Sequence, residues 1–351
     1  MSDLAFAQSL HARPSANKFA NGSHLTSDFV QQQNSICDFT TSDSWVILSP
    51  IEQSIKKKIE AVGTPLKDWD INIYRGVLTG CNEAFIIDSQ KRDEILNNCQ
   101  TEDERQRTDE LIRPILRGRD IKRYGYDWAN LWLIATFPAC HYDIEKYPAV
   151  KNYLLSFEEN NLHDAGYDWV VDNYLADFCK QKLAQTGKFI EIAGKRITIG
   201  NTPEKARKKT SNKWFETQDS ISYWEDFSKQ QIVWIELSDD PKFALAEKIM
   251  SVNTVFFMTG EHILHLLGLL NSKLITWYFR HCIGTTSGVG TNRWLKYTIE
   301  QIPMAPVSSK LEDLSFHISK NYDDDKNQEI DLYVCRLYNL NEEEVSHIIS
   351  Q

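Results

Sequence analysis

The residues of this 351-residue sequence best suited to chemistry are arginines, hydroxyls and carboxamides set beside glycines. In INIYRGVLTGCNEAFIID, residues 71–88, a strand-like run stops at Arg75-Gly76, Gly80 follows, and the chain then turns strand-like again. Arg75, Thr79 and Asn82 thus stand around two glycines, which are the residues a chain uses where it takes a positive φ or approaches a neighbour closely. Arg117, Gly118, Arg119, Lys122 and Arg123 form a second group. The third is GTTSGVGTNR, residues 284–293, followed by tryptophan, leucine and lysine; it offers Thr286, Ser287, Asn292, Arg293 and Lys296, with Gly288 and Gly290. Backbone amides, hydroxyls and carboxamides are the groups that contact phosphates and position a duplex. The arginine fork fits a phosphate or a guanine edge. Taken alone, these residues also fit a plainer reading of solvated surface arginines and connecting loops.

Other chemistries lack their parts. No G-x-x-x-x-G-K-[ST] and no G-x-G-x-x-G follows a strand, so neither phosphate-loop signature is present. A metal-dependent nuclease needs clustered acids and a lysine; the usual Glu-x-Lys triplet is absent, and Asp240-Pro241-Lys242 reads as a turn before a strand. No two of the ten prolines are adjacent, which removes the Asn-Pro-Pro-Tyr loop of an amino-methyltransferase. His262 and His265 lie one helical turn apart with no third ligand near in sequence, so a helix-face pair is the better reading than a metal site. No catalytic residue, metal or cofactor is therefore expected of this chain.

The net charge of −10 opposes nucleic-acid binding, but its distribution does not. Residues 113–123 carry five bases against one acid, Asp120; residues 201–214, which include Lys208, carry five against Glu204. Residues 271–297 carry Lys273, Arg280, Arg293 and Lys296 and no acid, whereas residues 310–345 are acidic. The seven cysteines are scattered and form no C-x-x-C pair, which fits free thiols in a reducing cytoplasm. No apolar run is long enough for a membrane span, and the first residues lack a secretory pattern.

The elements that must position these residues follow from periodicity. Residues 1–44 are rich in Ser, Asn, Gln and Thr and read as a flexible lead-in, followed by a short strand over 45–48. Pro50 sits at the favoured first position of a helix closed by Gly63. Strands are expected near 71–75, 84–88, 131–136, 231–236 and 253–258, and helices at 90–97, 102–112, from Tyr147 onward and over 167–185. KFIEIAGKRITIG reads as a hairpin turning at Ala193-Gly194. EHILHLLGLLNSKLITWYFRH predicts one buried helix whose apolar stripe runs past Asn271. Two amphipathic helices, near 326–338 and 341–350, close the chain, with Asn341 and Glu344 spaced as a capping pair. Strands and helices mixed without regular βα alternation point to an α+β fold.

YRGVLTGCNEAFIID resembles the opening signature of the TaqI-like C-terminal specificity domain, the target recognition domain of adenine-specific DNA methyltransferases and type IIG restriction-modification enzymes. IRPILRGRDIKRYGYDW resembles the family's second signature, and LWLIATFP, KYPAVKNYLLSFEENNL, KWFETQDSISYWEDFSKQQIVWIEL, LLGLLNSKLITWYFR and IEQIP follow in collinear order. The similarity runs from about residue 45 to the end. It implies a mixed-sheet recognition domain over 45–305 with packed helices, and a helical C-terminal segment over 306–351. It implies that such a module reads duplex DNA through the major groove while a separate methyltransferase domain or restriction subunit acts on the adenine. By position it places Arg75, Gly76, Thr79, Gly80, Asn82, Arg117, Gly118, Arg119, Lys122, Arg123 and Lys273 in matching blocks. Two rival readings stand beside it: a metal-dependent endonuclease with an unrecognised site, and a subunit that docks onto a methyltransferase without touching DNA.

Overall fold

The computed structural model describes residues 48–156, 189–192, 195–198, 211–238, 240–284, 286–287 and 291–351. The lead-in over 1–44, the strand proposed at 45–48 apart from its last residue, the helix proposed at 167–185, the Ala193-Gly194 turn, Lys208, Gly288 and Gly290 lie outside the described residues. Two compact units divide at Ser54 and Ile55. The functional residues described below all belong to the second.

That second unit carries an α+β fold built on two four-stranded sheets. The first sheet has the order Ile71–Arg75, Val255–Gly260, Gln230–Ile235, Ala244–Glu247, antiparallel throughout. The second has the order Met250–Ser251, Ile112–Leu116, Leu131–Ile134, Ile86–Asp88. It is mixed: its first pair is parallel and the other two are antiparallel. Val233, Val255, Phe257, Ile115, Leu116 and Leu133 come from both sheets and share one buried core. Burial of such apolar surface is the main favourable term in the fold.

Two short segments pass between the sheets, Lys248–Ile249 and Val252–Thr254. In the second of these, Met250–Ser251, an edge strand of the second sheet, leads into Val255–Gly260, a central strand of the first. Between them Val255 N donates to Val252 O at 2.9 Å, closing a tight turn with Asn253 and Thr254 at its centre. Gly76 crosses against this segment. Its amide donates to Val255 O at 2.8 Å, and the next amide, of Val77, donates to Ser251 O at 2.7 Å. A β-carbon on Gly76 would stand 2.3 Å from Val252 O and 2.4 Å from Ser251 O. Gly76 is therefore required by close approach. Gly80 is required by conformation, with φ of 82°.

Local structure follows the expected elements with three informative differences. Residues 84–85, expected to open a strand over 84–88, belong instead to one helical turn, Asn82–Phe85, before the strand Ile86–Asp88. The long buried helix is broken into Ile263–Asn271 and Lys273–Tyr278, with Ser272 extended between them. The break has a cause: the Asn271 side chain bonds both Phe243 O and Phe243 N, and the Ser272 hydroxyl caps the second helix by accepting from Ile275 N. A helix not expected from sequence, Ser309–Lys320, precedes Asp324–Leu337 and Glu342–Ile349. The Asn341–Glu344 capping box forms as its spacing indicated. No helix among the described residues is long and apolar enough to cross a membrane.

The two glycines give a discriminating test. Gly80→Ala should cost about 1–2 kcal/mol for the left-handed backbone, and Gly80→Asn less, because asparagine tolerates that region. At Gly76 both substitutions should cost about 1–3 kcal/mol or more, because the obstruction is backbone and cannot yield. Thermal melting of the four variants checks this; an asparagine that rescues position 76 would show that conformation, not space, sets that site.

Candidate nucleic-acid interface

The arginine-bearing segments, distant in sequence, meet at one end of the first sheet around the Asn253–Thr254 turn. Arg75 ends its strand there, is exposed, and donates from Nε to Asn253 O at 2.5 Å. Gly118 lies over the same turn: a β-carbon on it would meet Ile235 Cγ2 at 2.8 Å and Thr254 Oγ1 at 3.8 Å. Glu236 N donates to Thr254 O at 3.4 Å, and the Glu236 carboxylate accepts from Arg293 Nη2 at 2.5 Å. Arg293 is fixed from the other side by its neighbour. Trp294 is fully buried, stacks on Phe279 with ring centroids 3.7 Å apart, and donates from Nε1 to Ser238 O.

Several expected contact residues already have partners inside the protein. Thr79 is buried, and its hydroxyl donates to Asn82 Oδ1 at 2.7 Å. That pairing pins the loop next to Gln218 and Asp219, whose amides donate to Thr79 O and Leu78 O. Arg117 grips Asp120 with two guanidinium nitrogens, at 3.1 and 2.8 Å. Arg123 donates to Asn271 O, a carbonyl at the end of a helix, and Lys273 donates from Nζ to Ile349 O near the end of the last helix. Both are cations on helix C-terminal carbonyls, a stabilising placement. Asn292 is buried. Only the backbone of Thr286 and Ser287 is described; they pair with Asn292 and Thr291 in a two-stranded ribbon.

The residues left facing solvent are fewer. Arg119 is exposed and makes no hydrogen bond or ion pair among the described residues. Lys122 is exposed and pairs with exposed Asp127, a weak surface contact that an incoming anion could replace. Lys296 is exposed, reaching Ile73 O at 3.3 Å and Glu300 at 3.7 Å. Two residues with no place among the sequence candidates join them: Asn253, half-buried, and Thr254, exposed. The sequence analysis placed both in the strand expected over 253–258, whereas that strand is Val255–Gly260 and they form the turn ahead of it.

Nearby acids shape the local field. Burial pushes the Asp219 carboxyl up, against a Leu78 backbone hydrogen bond and the Arg75 charge. Burial also pushes the Tyr223 hydroxyl up to about 12, reinforced by Asp219 and Tyr74 and opposed by Arg75. Tyr223 therefore stays neutral and donates to Arg75 O at 2.8 Å. For Asp120 burial acts upward too, but the Arg117 hydrogen bonds and the charges of Arg117 and Arg119 outweigh it and hold the carboxyl below 3.8.

Residues 113–304, more than half of the chain, match the family model of the TaqI-like C-terminal specificity domain. The chain belongs to this family. Within the specificity domain the match takes in Arg117, Arg119, the Asn253–Thr254 turn, Arg293 and Lys296, while the Arg75 loop lies on its N-terminal side. Two solved structures are similar to the chain. The type IIL restriction-modification enzyme MmeI, in complex with DNA, is 11% identical with a TM-score of 0.48, over 82% of this chain and 37% of that one. The type IIG restriction endonuclease BpuSI is 13% identical with a TM-score of 0.49, over 86% and 31%. The chain thus spans about a third of the length of either enzyme. Among curated proteins nothing matches the chain.

The Arg117–Asp120 clasp predicts an acid response of defined sign. A carboxyl held below its ordinary value stabilises the fold fully above about pH 4 and loses that contribution as pH falls through the lower folded value. Wild type should therefore outlast Asp120→Asn in denaturant at neutral pH, and the advantage should vanish in acid. An advantage that persists undiminished to about pH 2 would remove the charge from the explanation.

Proposed function

We propose that this chain is the sequence-reading module of a restriction-modification system. It holds duplex DNA against the sheet end around the Asn253–Thr254 turn, while a separate methyltransferase domain or subunit modifies an adenine. The domain division given from sequence, with recognition over 45–305 and a helical segment over 306–351, is part of this proposal. The observation that carries it is that Arg75 donates to Asn253 O while Gly118, the residue before exposed Arg119, packs against Thr254 of the same turn. Arg75 and Arg119 are 44 positions apart in sequence. Two cations on a fixed frame suit a phosphate backbone, because their placement needs no reorganisation on binding.

The partition between engaged and open cations sets the electrostatics. Arg117, Arg123 and Lys273 are committed to protein partners, so the phosphate load falls on Arg75 and Arg119, with Lys122 and Lys296 as exchangeable contributors. Each neutralised phosphate contributes about −0.9 to the slope of log affinity against log salt.

Two measurements test the reading. Duplex binding by the chain should weaken with salt, and Arg75→Ala and Arg119→Ala should each lower affinity similarly for all sequences and shrink the salt slope by about one. Arg117→Ala should instead lower stability. A flat salt response, together with capture of a methyltransferase, would mean that the basic segments face a protein. The division of labour has its own check: calorimetry of the isolated chain with S-adenosylmethionine should show no binding, and a micromolar site would refute a non-catalytic module.

A further inference from the structure

The turn that joins the two sheets has a property the surrounding loops lack. Its backbone acceptors are spent within the protein: Asn253 O on Arg75 Nε, Thr254 O on Glu236 N, and Ser251 O on Val77 N. On either side of its two central residues the amides are engaged, Val252 N donating to Leu116 O and Val255 N to Val252 O. The polar side chains around it are paired: Thr79 with Asn82, Arg117 with Asp120, Arg293 with Glu236. The Asn253 carboxamide and the Thr254 hydroxyl have no partner among the described residues, and unlike the equally unpartnered Ser251 hydroxyl they are not buried. Two polar side chains thus stand on a turn clamped from both sheets, with Arg75 bonded to it and Gly118, next to Arg119, packed over it.

We infer that Asn253 and Thr254 are base-reading residues, and that Asn253 selects an adenine through its major-groove edge. This rests on the proposed DNA-binding role. A carboxamide carries one donor and one acceptor side by side, the complement of adenine N6 and N7. Threonine beside it offers a hydroxyl for a base edge and a methyl for the thymine methyl group. Specific reading needs a frame held in place before the DNA arrives, and this turn is fixed by hydrogen bonds from three separate segments, at 75–77, 116 and 236. The two arginines supply the positioning contacts that carry no sequence information, so the roles divide between neighbours.

Selection of bound sites from random duplexes, with the full chain, tests this. For the wild type one position should prefer adenine; in Asn253→Ala that preference should fall by about tenfold or more, with the salt slope and melting temperature unchanged. Asn253→Asp preserves size and removes the donor, so the same position should shift toward cytosine, whose N4 amino group donates. Thr254→Val should alter only the adjoining position. If Asn253→Ala and Asn253→Asp select the wild-type sequence while the wild type binds DNA with a salt slope, the turn is structural and the inference fails, though the DNA-binding reading stands. Equal loss on all sequences with a reduced slope would make Asn253 a phosphate contact and also overturn it. A wild type with no salt-sensitive duplex binding would remove both.

Discussion

The space where a β-carbon of Gly76 would stand is occupied by the carbonyl oxygens of Ser251 and Val252. That approach lets the amides of Gly76 and Val77 bond Val255 and Ser251 directly, so one crossing point belongs to both sheets. Everything at the candidate interface depends on it. The strand that ends at Arg75 is in register with Val255–Gly260, Met250–Ser251 pairs with the second sheet, and the turn between them is bonded from both sides. Without the crossing, Arg75 would lie on an edge strand with an unanchored end. With it, the guanidinium sits beside a fixed carbonyl.

A small set of buried aromatic and polar contacts extends that constraint to the other segments. Trp294 and Trp234 are both buried, and Trp234 Nε1 donates to Trp294 O at 2.9 Å. This ties the Arg293 segment to the first sheet. Tyr74 stacks on Tyr223 at 4.4 Å, and Tyr223 returns a hydrogen bond to Arg75 O. Indole and phenol groups bury large apolar area while keeping one polar atom for such a bond. Here that polar atom fixes the chain next to a candidate arginine each time. The result is a surface whose cations are held by their backbones and by their neighbours, which is how a recognition surface limits the entropy lost on binding.

The sequence made the strands near 71–75, 131–134, 230–235 and 255–260, the first-turn proline, the Asn341 capping box and the glycine loop legible, because each is a local pattern, but it did not mark the strands Ile112–Leu116 and Met250–Ser251. It did not reveal the break at Ser272. That break comes from Asn271 bonding Phe243, a residue 28 positions away, and apolar periodicity contains no trace of such a bond. The helix Ser309–Lys320 was missed for a related reason: its apolar residues are few and its N-cap, Ser308, is one hydroxyl among several. The candidate site was half legible. Arginine beside glycine marked Arg75 and Arg119, both at a tight backbone, but the same rule also picked Arg117, and the matching block picked Arg123, whose charges are used within the fold. Spacing cannot separate an arginine that clasps an aspartate three residues on from one that faces solvent. RGRD contains both.

Asn253 and Thr254 carried no motif at all, and their placement explains why. A turn between sheets is defined by what lies on either side of it, here a strand of the second sheet and a strand of the first, together with a glycine roughly 175 positions earlier. The side chains at such a turn are free of packing requirements, since the backbone alone makes the fixing contacts. That freedom separates two functions in one structure. The glycine crossing and the carbonyl bonds can hold the frame while residues 253 and 254 change, so a different pair of side chains could be presented on the same scaffold without disturbing either sheet. On these physical grounds the turn is the place where a recognition module of this architecture can alter what it reads at least cost to stability.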